Sequence, residues 1–341
     1  PGAMFVAVRG VAVDGHKYVA AAIAAGACAV VVEEWPSEIP DGVLAVKVAD
    51  TRVALGLMAS RIYGDPSEEL RLVGVTGTNG KTTIATLLYD MMRMRGLRAG
   101  LLSTVAVKID GSEYEADHTT PDPITLNACL RAMVNAGCSF AAMEVSSHAA
   151  DQHRIAGLCF AGGIFTNITR DHLDYHKTFD AYLKSKKSFF DSLPADAFAL
   201  TNADDRNGAV MLQNTPARTK AYYSVRDIAD VCLHVVEDRL DGMLVEVGGR
   251  EVETMFVGRF NASNLAAVYG AALMLGIASD EALVLLSRLR PVAGRFQPVR
   301  SERGVTAIVD YAHTPDALVN VLDTIAEVRP EGASIITVCG C

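Results

Sequence analysis

The residues best suited to chemistry are Thr76-Gly77-Thr78-Asn79-Gly80-Lys81-Thr82-Thr83. They follow an apolar run, Leu70–Val75, that reads as a buried strand. They precede Ile84–Arg95, where Leu87, Leu88, Met91 and Met92 recur at helical spacing. Strand, glycine-rich turn and helix is the setting in which a phosphate-binding loop works. Gly77 and Gly80 allow the backbone to turn its N–H groups toward phosphate oxygens. A helix beginning near Lys81 adds the positive end of its dipole. In such a loop Lys81 reaches the outer phosphates and the Thr82 hydroxyl coordinates magnesium. Val75 stands where the usual pattern has its first glycine, so the loop is a variant.

Other candidates sit at the ends of apolar runs. Phe140–Val145 closes in Glu144-Val145-Ser146-Ser147-His148. A carboxylate at the carboxyl end of a parallel strand lies where α/β sheets bind ligands, which makes Glu144 a candidate magnesium ligand opposite Thr82. The run Phe165–His176 carries Asn167, Asp171-His172 and His176. With no HExxH glutamate, His172 reads as one member of a hard-metal site, and His176 as a residue behind it or on the surface. In the helix Tyr182–Phe190, Lys184 and Lys187 read as solvated, whereas Lys186 shares the face of Tyr182 and Phe190 and points inward. Burial lowers a lysine pKa and frees part of its amine.

Asn261 and Asn264 open a helix, either as caps or as two amides on one side of its first turn, facing an adenine edge or a phosphate. Arg295, after Ala293-Gly294, offers a planar cation suited to phosphate. Asp310 ends the strand Val305–Val309, where an acid can hydrogen-bond ribose hydroxyls.

These side chains need a large scaffold, and the chain supplies one. It has 341 residues, 50% hydrophobic and 21% charged, enough for two or three cored domains. A net charge of −9 argues against a nucleic-acid partner but does not exclude a small anion held locally. The apolar run Val19–Val32 is too short to span a bilayer and is broken at Gly26; it reads as a helix followed by the strand Cys28–Val32. No secretory signal is visible, so a cytoplasmic protein is expected. Seven cysteines without a CxxC pair read as mostly buried, reduced thiols.

The alternation of strands and helices predicts an α/β protein in three parts. A small N-terminal α/β domain covers 1–66, ending at the turn-rich linker Gly64-Asp65-Pro66-Ser67. A central mononucleotide-binding domain, 67–299, has a mainly parallel sheet with antiparallel strands appended from Lys220 to Val257. The beginning of a third α/β domain, 300–341, holds Val305–Asp310, the helix Asp316–Val328 and a strand Ser334–Val338. The abrupt start at Pro1 and stop at Cys341 read as truncations at both ends.

Taken together the ordered motifs resemble the Mur ligase family, ATP-dependent amide-forming enzymes of peptidoglycan synthesis. The motifs are Gly77–Thr83, Glu144–His148, Asn167 with Asp171-His172, Tyr182 with Lys186, Asn261 with Asn264, Gly294-Arg295 and Asp310–His313. Thr119-Thr120-Pro121, Ser146 and Asp151-Gln152-His153-Arg154 resemble the member that adds the third residue of the stem peptide.

The resemblance implies that Gly77, Thr78, Asn79, Gly80, Lys81, Thr82 and Thr83 hold ATP, assisted by Asn261, Asn264, Arg295 and Asp310. It implies magnesium on Thr82 and Glu144, and a second ion on Glu144, His172 and a carbamylated Lys186. Lys81, Glu144, His172 and Lys186 would be the catalytic set. His118, standing where the family commonly has Asn, would contact a UDP-muramoyl dipeptide together with Thr119, Thr120, Ser146, Gln152 and Arg154. Val11, Ala12 and Val13 would contact the uridine part by their backbone. The second substrate would be a diamino acid, and neither nucleic acid nor membrane is implied. A monomer is the default. A third domain beyond Cys341 is implied as well, and without that lid the chain alone is expected to be inactive. A folate polyglutamate synthetase, or a nucleotide-binding module without chemistry, are the alternatives.

Overall fold

The computed structural model describes residues 2–10, 13–116, 118–302 and 304–340. Its first unit comprises β1 (Ala3–Val6), α1 (Val19–Ala24), β2 (Ala27–Val32), β3 (Leu44–Lys47) and α2 (Thr51–Ile62). The three strands are parallel in the order β1-β2-β3. Ala7, Val19, Val30 and Val32 form their small core. At the start of β2 Cys28 is exposed, although it shares a strand face with the core residues Val30 and Val32 further along.

The second unit begins with β4 (Arg71–Thr76), α3 (Lys81–Met94), β5 (Ala99–Leu102), β6 (Val107–Ile109), β7 (Ser112–Tyr114) and α4 (Pro123–Asn135). It continues with β8 (Phe140–Glu144), α5 (Ser147–Asp151), β9 (Gly162–Phe165), α6 (Leu173–His176), α7 (Phe179–Asp191), β10 (Phe198–Asn202) and α8 (Gly208–Leu212). It closes with β11 (Thr219–Ser224), β12 (Val231–Arg239), β13 (Gly242–Val247), β14 (Arg250–Thr254), α9 (Arg259–Met274) and α10 (Ser279–Arg288).

All its strands join one sheet in the order β14-β13-β12-β11-β10-β9-β4-β8-β5-β6-β7. The centre, β5 through β12, is parallel; β13 and β14 at one edge and β6 and β7 at the other are antiparallel. Helices cover both faces, so alternate residues of a central strand enter different cores. Phe140 and Ala142 pack with α3 and α9, and Ala141 and Met143 with α4 and α7. From β4 the chain steps to one side and later returns to the other at β9. The carboxyl end of β4 is therefore the point where strand order reverses and ligands bind.

Local chemistry sets the helix starts. Asp50, Asp122, Thr178 and Thr314 each accept first-turn N–H groups with their side chains. Pro123 and Pro315 take the first helical position, where no N–H is needed.

The last unit is a hairpin, β15 (Gln297–Arg300) antiparallel to β16 (Thr306–Val309), followed by α11 (Pro315–Val328). The expected strand Ser334–Val338 does not form: the segment is irregular, with Ile336 and Val338 exposed. A strand needs a ladder, and among the described residues none pairs with it. The cysteines also depart from the expectation of burial. Only Cys138 is buried among those described; Cys129 and Cys232 are half-buried, while Cys28, Cys159 and Cys339 are exposed. No helix among the described residues is long and apolar enough to cross a membrane.

The turn-rich stretch 64–67 is pinned. Arg131 on α4 donates to Tyr63 O, Gly64 O and Glu69 Oε1, each at 2.7 Å. Ser67 Oγ accepts from Cys159 N at 2.9 Å. Helix α2 lies against the second unit, where a Cβ on Gly56 would fall 2.6 Å from Ala156 O. Helix propensity alone would make Gly56→Ala stabilising by about 1 kcal/mol. Contact with a backbone oxygen reverses the sign, and a net loss of about 1–3 kcal/mol is expected from overpacking. Urea unfolding of the variant measures it; a gain in stability would show that α2 does not seat here.

Candidate active site

A cleft of about 590 Å³ opens at the carboxyl ends of β4 and β8. Both loop glycines are required there. Gly77 has φ 152°, and a Cβ on it would fall 1.8 Å from Thr166 Oγ1. Gly80 has φ 86°, and its Cβ would lie 2.5 Å from Asn264 Oδ1.

The segment after β9 clamps the loop. Thr78 N donates to Asn167 O at 2.8 Å and Asn79 N to Asn167 Oδ1 at 2.9 Å. Asn79 O accepts from Thr166 Oγ1 at 2.6 Å and from Asn167 Nδ2 at 3.3 Å. Two of the loop's N–H groups are therefore not available to phosphate: those of Thr78 and Asn79 are already taken. Gly80 caps α3 with no side-chain bond, so the first-turn N–H groups of Lys81, Thr82 and Thr83 are open to an anion.

Two lysines converge on one carbonyl. Lys81 Nζ donates to Gly77 O at 3.0 Å and to Thr78 O at 2.7 Å, and Lys186 Nζ donates to Gly77 O at 2.7 Å. Lys186 is buried as the helical pattern predicts, 4.5 Å from the Tyr182 ring centroid. Burial pushes its pKa well below the ordinary lysine value, and the charge of Lys81 pushes the same way. Burial also lowers Lys81, against the pull of Glu144 and Asp171.

Glu144, buried at the end of β8, accepts from Thr82 Oγ1 at 2.9 Å and from Thr104 N at 2.7 Å through Oε1. Arg295 Nη2 donates to the same Thr82 hydroxyl at 3.1 Å, and its guanidinium lies 4.8 Å from the Tyr311 ring centroid. Glu144 Oε2 and Arg295 Nε are both buried without a hydrogen-bond partner among the described residues. An unpaired buried acid oxygen beside a hydroxyl, both hard donors, fits a magnesium ion. Among the described residues no three His, Cys, Asp or Glu side chains converge on one point, so phosphate and water oxygens would complete the shell.

The histidines gather beside Lys186. His148 lies 4.9 Å from His172, 5.5 Å from His176 and 4.2 Å from Tyr175, centroid to centroid. His172, left-handed at φ 54°, has Nε2 at 3.4 Å from Asp171 Oδ2. His176 is buried behind it, bonded to Ser147 Oγ at 3.0 Å. The sequence reading left His148 without a role, although it lines the cleft.

His118, Thr119, Thr120, Ser146 and Arg154 also line the cleft. Several of these groups already serve the fold. Thr120 Oγ1 donates to Glu144 O at 2.8 Å, Thr119 Oγ1 accepts from Thr104 Oγ1 at 3.1 Å, and Ser146 Oγ caps α5 through Ala149 N at 3.1 Å. Arg154 donates to Thr120 O at 2.8 Å and to Gln152 Oε1 at 2.8 Å. Gln152 is thus an orienting partner of Arg154. Val13 is exposed on the first unit, while Val11 and Ala12 lie outside the described residues.

Asn261 and Asn264 are not caps; Gly258 precedes the helix. Asn261 Nδ2 donates to Val257 O at 2.9 Å, and Asn264 Nδ2 to Asn261 Oδ1 at 3.3 Å, which sets Asn264 Oδ1 against Gly80. Asp310 accepts from Phe296 N at 2.6 Å, tying β16 to the turn that bears Arg295.

Three family models match the chain: the Mur ligase middle domain over residues 75–272, the Mur ligase glutamate ligase domain over 294–341, and the Mur ligase family catalytic domain over 1–63. A UDP-N-acetylmuramoyl-L-alanyl-D-glutamate–2,6-diaminopimelate ligase of Parabacteroides distasonis is 60% identical over 339 residues, 99% of this chain and 70% of that protein. Its namesake in Phocaeicola vulgatus is 58% identical over 340 residues, 100% of this chain and 70% of that protein. A solved structure of a ligase of the same name superposes with a TM-score of 0.82 at 30% identity, covering 97% of this chain and 69% of that one.

The histidine cluster generates a pH dependence. Burial lowers His148, His172 and His176 below the ordinary 6.5. Just below 6.5 the unfolded chain therefore binds more protons than the folded one, so their contribution is full above 6.5 and lost as pH falls. Urea unfolding from about pH 7 to about pH 5 is expected to show a smaller stability loss for His176→Gln, whose amide can still bond Ser147, than for the wild type. Equal losses would contradict the assignment.

Proposed function

The chain belongs to the Mur ligase family, and on that premise we propose that it binds ATP at Gly77–Thr83 and joins 2,6-diaminopimelate to the D-glutamate of UDP-N-acetylmuramoyl-L-alanyl-D-glutamate. The names of its relatives at 60% and 58% identity favour diaminopimelate over L-lysine and over a folate substrate. The observation that carries the nucleotide reading is the pair of unpartnered buried atoms, Glu144 Oε2 and Arg295 Nε, on side chains that both hold the Thr82 hydroxyl. Such a pair supports an anion bound together with its counter-cation.

The reaction phosphorylates the D-glutamate side-chain carboxylate, releasing ADP. The diamino acid's amine then attacks the acyl carbon, and phosphate and a proton leave. This chain's part is placement and charge. Lys81 moves from the Gly77 and Thr78 carbonyls to the outer phosphates, Arg295 offers its unpaired Nε–H, and the first turn of α3 receives phosphate oxygens. Asn264, held by Asn261, and Asp310 address the nucleoside. Thr82 and Glu144 would hold one magnesium ion, and Glu144, His172 and Lys186 as its carbamate a second; bound there, the ions would neutralise phosphate charge. Arg154, oriented by Gln152, and His118, Thr119, Thr120 and Ser146 face the muramoyl dipeptide. Residues 1–66, through the segment Val11–Val13, take the uridine end. Residues 67–299 hold ATP, and 300–341 border it through Asp310. The setting is the cytoplasm and the unit a monomer.

Calorimetric titration of magnesium–ATP into the chain tests the nucleotide site. Lys81→Ala is expected to weaken binding about tenfold to a hundredfold, the loss of a charge-assisted hydrogen bond. Supplying the muramoyl dipeptide with diaminopimelate, lysine, or a folate with glutamate to a form extended to the length of the relatives, of which this chain covers 70%, and following phosphate release, tests the substrates. Release that ignores the dipeptide, or a Lys81→Ala variant that binds ATP like the wild type, would refute this function.

A further inference from the structure

Tyr182, fully buried on α7, is used by none of the steps above. Its ring carries Lys186 Nζ on one face, 4.5 Å from the centroid, and meets His172 and His176 at centroid distances of 6.0 and 5.2 Å. Its hydroxyl lies 3.0 Å from Thr78 Oγ1 in the phosphate loop. That threonine oxygen also accepts the Thr169 N–H, at 3.0 Å.

The protons of these two hydroxyls can be counted. A threonine oxygen has one proton and two acceptor positions. If Thr78 donated to Tyr182, the phenol proton would be left buried without an acceptor among the described residues, which is disfavoured. If Tyr182 donates, the Thr78 oxygen accepts from Tyr182 and from Thr169, and its own proton is released. Thr78 lines the cleft, so an anion placed there is an acceptor open to that proton. Burial raises the Tyr182 pKa, which keeps the phenol a donor.

We propose that Tyr182 is a positioning residue: by donating to Thr78 it commits the Thr78 hydroxyl to a phosphate oxygen of the bound nucleotide. The inference rests on the nucleotide reading of the cleft. It adds a side-chain donor to a loop whose Thr78 and Asn79 N–H groups are spent on Asn167. The ring that fixes this donor also packs on Lys186 and His172, so one side chain registers the phosphate loop against both.

Calorimetric titration of magnesium–ATP into the full chain tests this. Tyr182→Phe keeps the ring and removes only the hydroxyl, and Thr78→Val removes the donor itself. Each is expected to weaken binding about tenfold, as loss of a hydrogen bond to a charged acceptor does. The double variant is expected to be no weaker than either single one, because both cut the same relay. Thr78→Ser, which retains a hydroxyl, recovers most of the loss. A merely structural tyrosine would lower the melting temperature without this pattern of non-additivity and rescue. A Tyr182→Phe protein that binds like the wild type, or losses that multiply, overturns the inference alone. A wild type that binds no nucleotide overturns the nucleotide reading and the inference with it. Should Tyr182→Phe fail to fold, the Thr78 pair decides, and equal affinities for Thr78→Val and Thr78→Ser overturn the proposal.

Discussion

Asn167 grips one residue of the phosphate loop, Asn79, by both polar atoms of its carboxamide, and the geometry of the cleft follows from that grip. Its carboxamide takes the N–H of Asn79 and donates to the Asn79 carbonyl, while its own carbonyl takes Thr78 N–H. The parallel register places it there. Thr76 pairs with Phe165, so the residues that follow each strand run side by side. On the other flank of β4, Val75 pairs with Glu144, which delivers the carboxylate to Thr82. The loop is therefore shaped before any ligand arrives, and ordering it costs a ligand little.

The same economy governs charge. The chain is net acidic, yet the cleft gathers Lys81 and Arg295. Neither has a carboxylate salt-bridge partner among the described residues; backbone carbonyls, a hydroxyl and the face of Tyr311 hold them instead. Neutral acceptors and aromatic faces keep a cation in place without cancelling its field. An arriving polyanion then meets positive charge that no resident carboxylate has to surrender.

Much of this was legible from residue order. The Gly77–Thr83 turn, the terminal acid of β8 and the inward aspect of Lys186 rest on short-range rules, strand ends and helical faces, and the parallel sheet followed from long apolar runs. What escaped depends on neighbours distant in sequence. Asn167 looked like a motif residue, and its grip on Asn79 requires knowing that β9 lies beside β4. The strand expected at 334–338 has the right composition but no ladder to join. Cys28 has apolar neighbours in sequence and solvent beside it in space, because it sits at the start of β2, before the strand enters the core at Val30. The hairpin of β6 and β7 is short and largely exposed, so its period was too brief to read.

The seam along α2 has a mechanical consequence. Gly56 lies flush with Ala156, Ser60 Oγ bonds Gly157 O at 3.1 Å, and Arg131 staples 63–64 to the second unit. Helix α2 is thereby part of the larger body, although chain order groups it with the smaller one. The small sheet reaches it through the Glu33 carboxylate on Thr51, at 3.0 and 2.8 Å. The boundary between the two bodies, drawn by packing, therefore falls at Val48–Asp50, ahead of the glycine-proline bend that chain order suggests, and the bend belongs to the larger body.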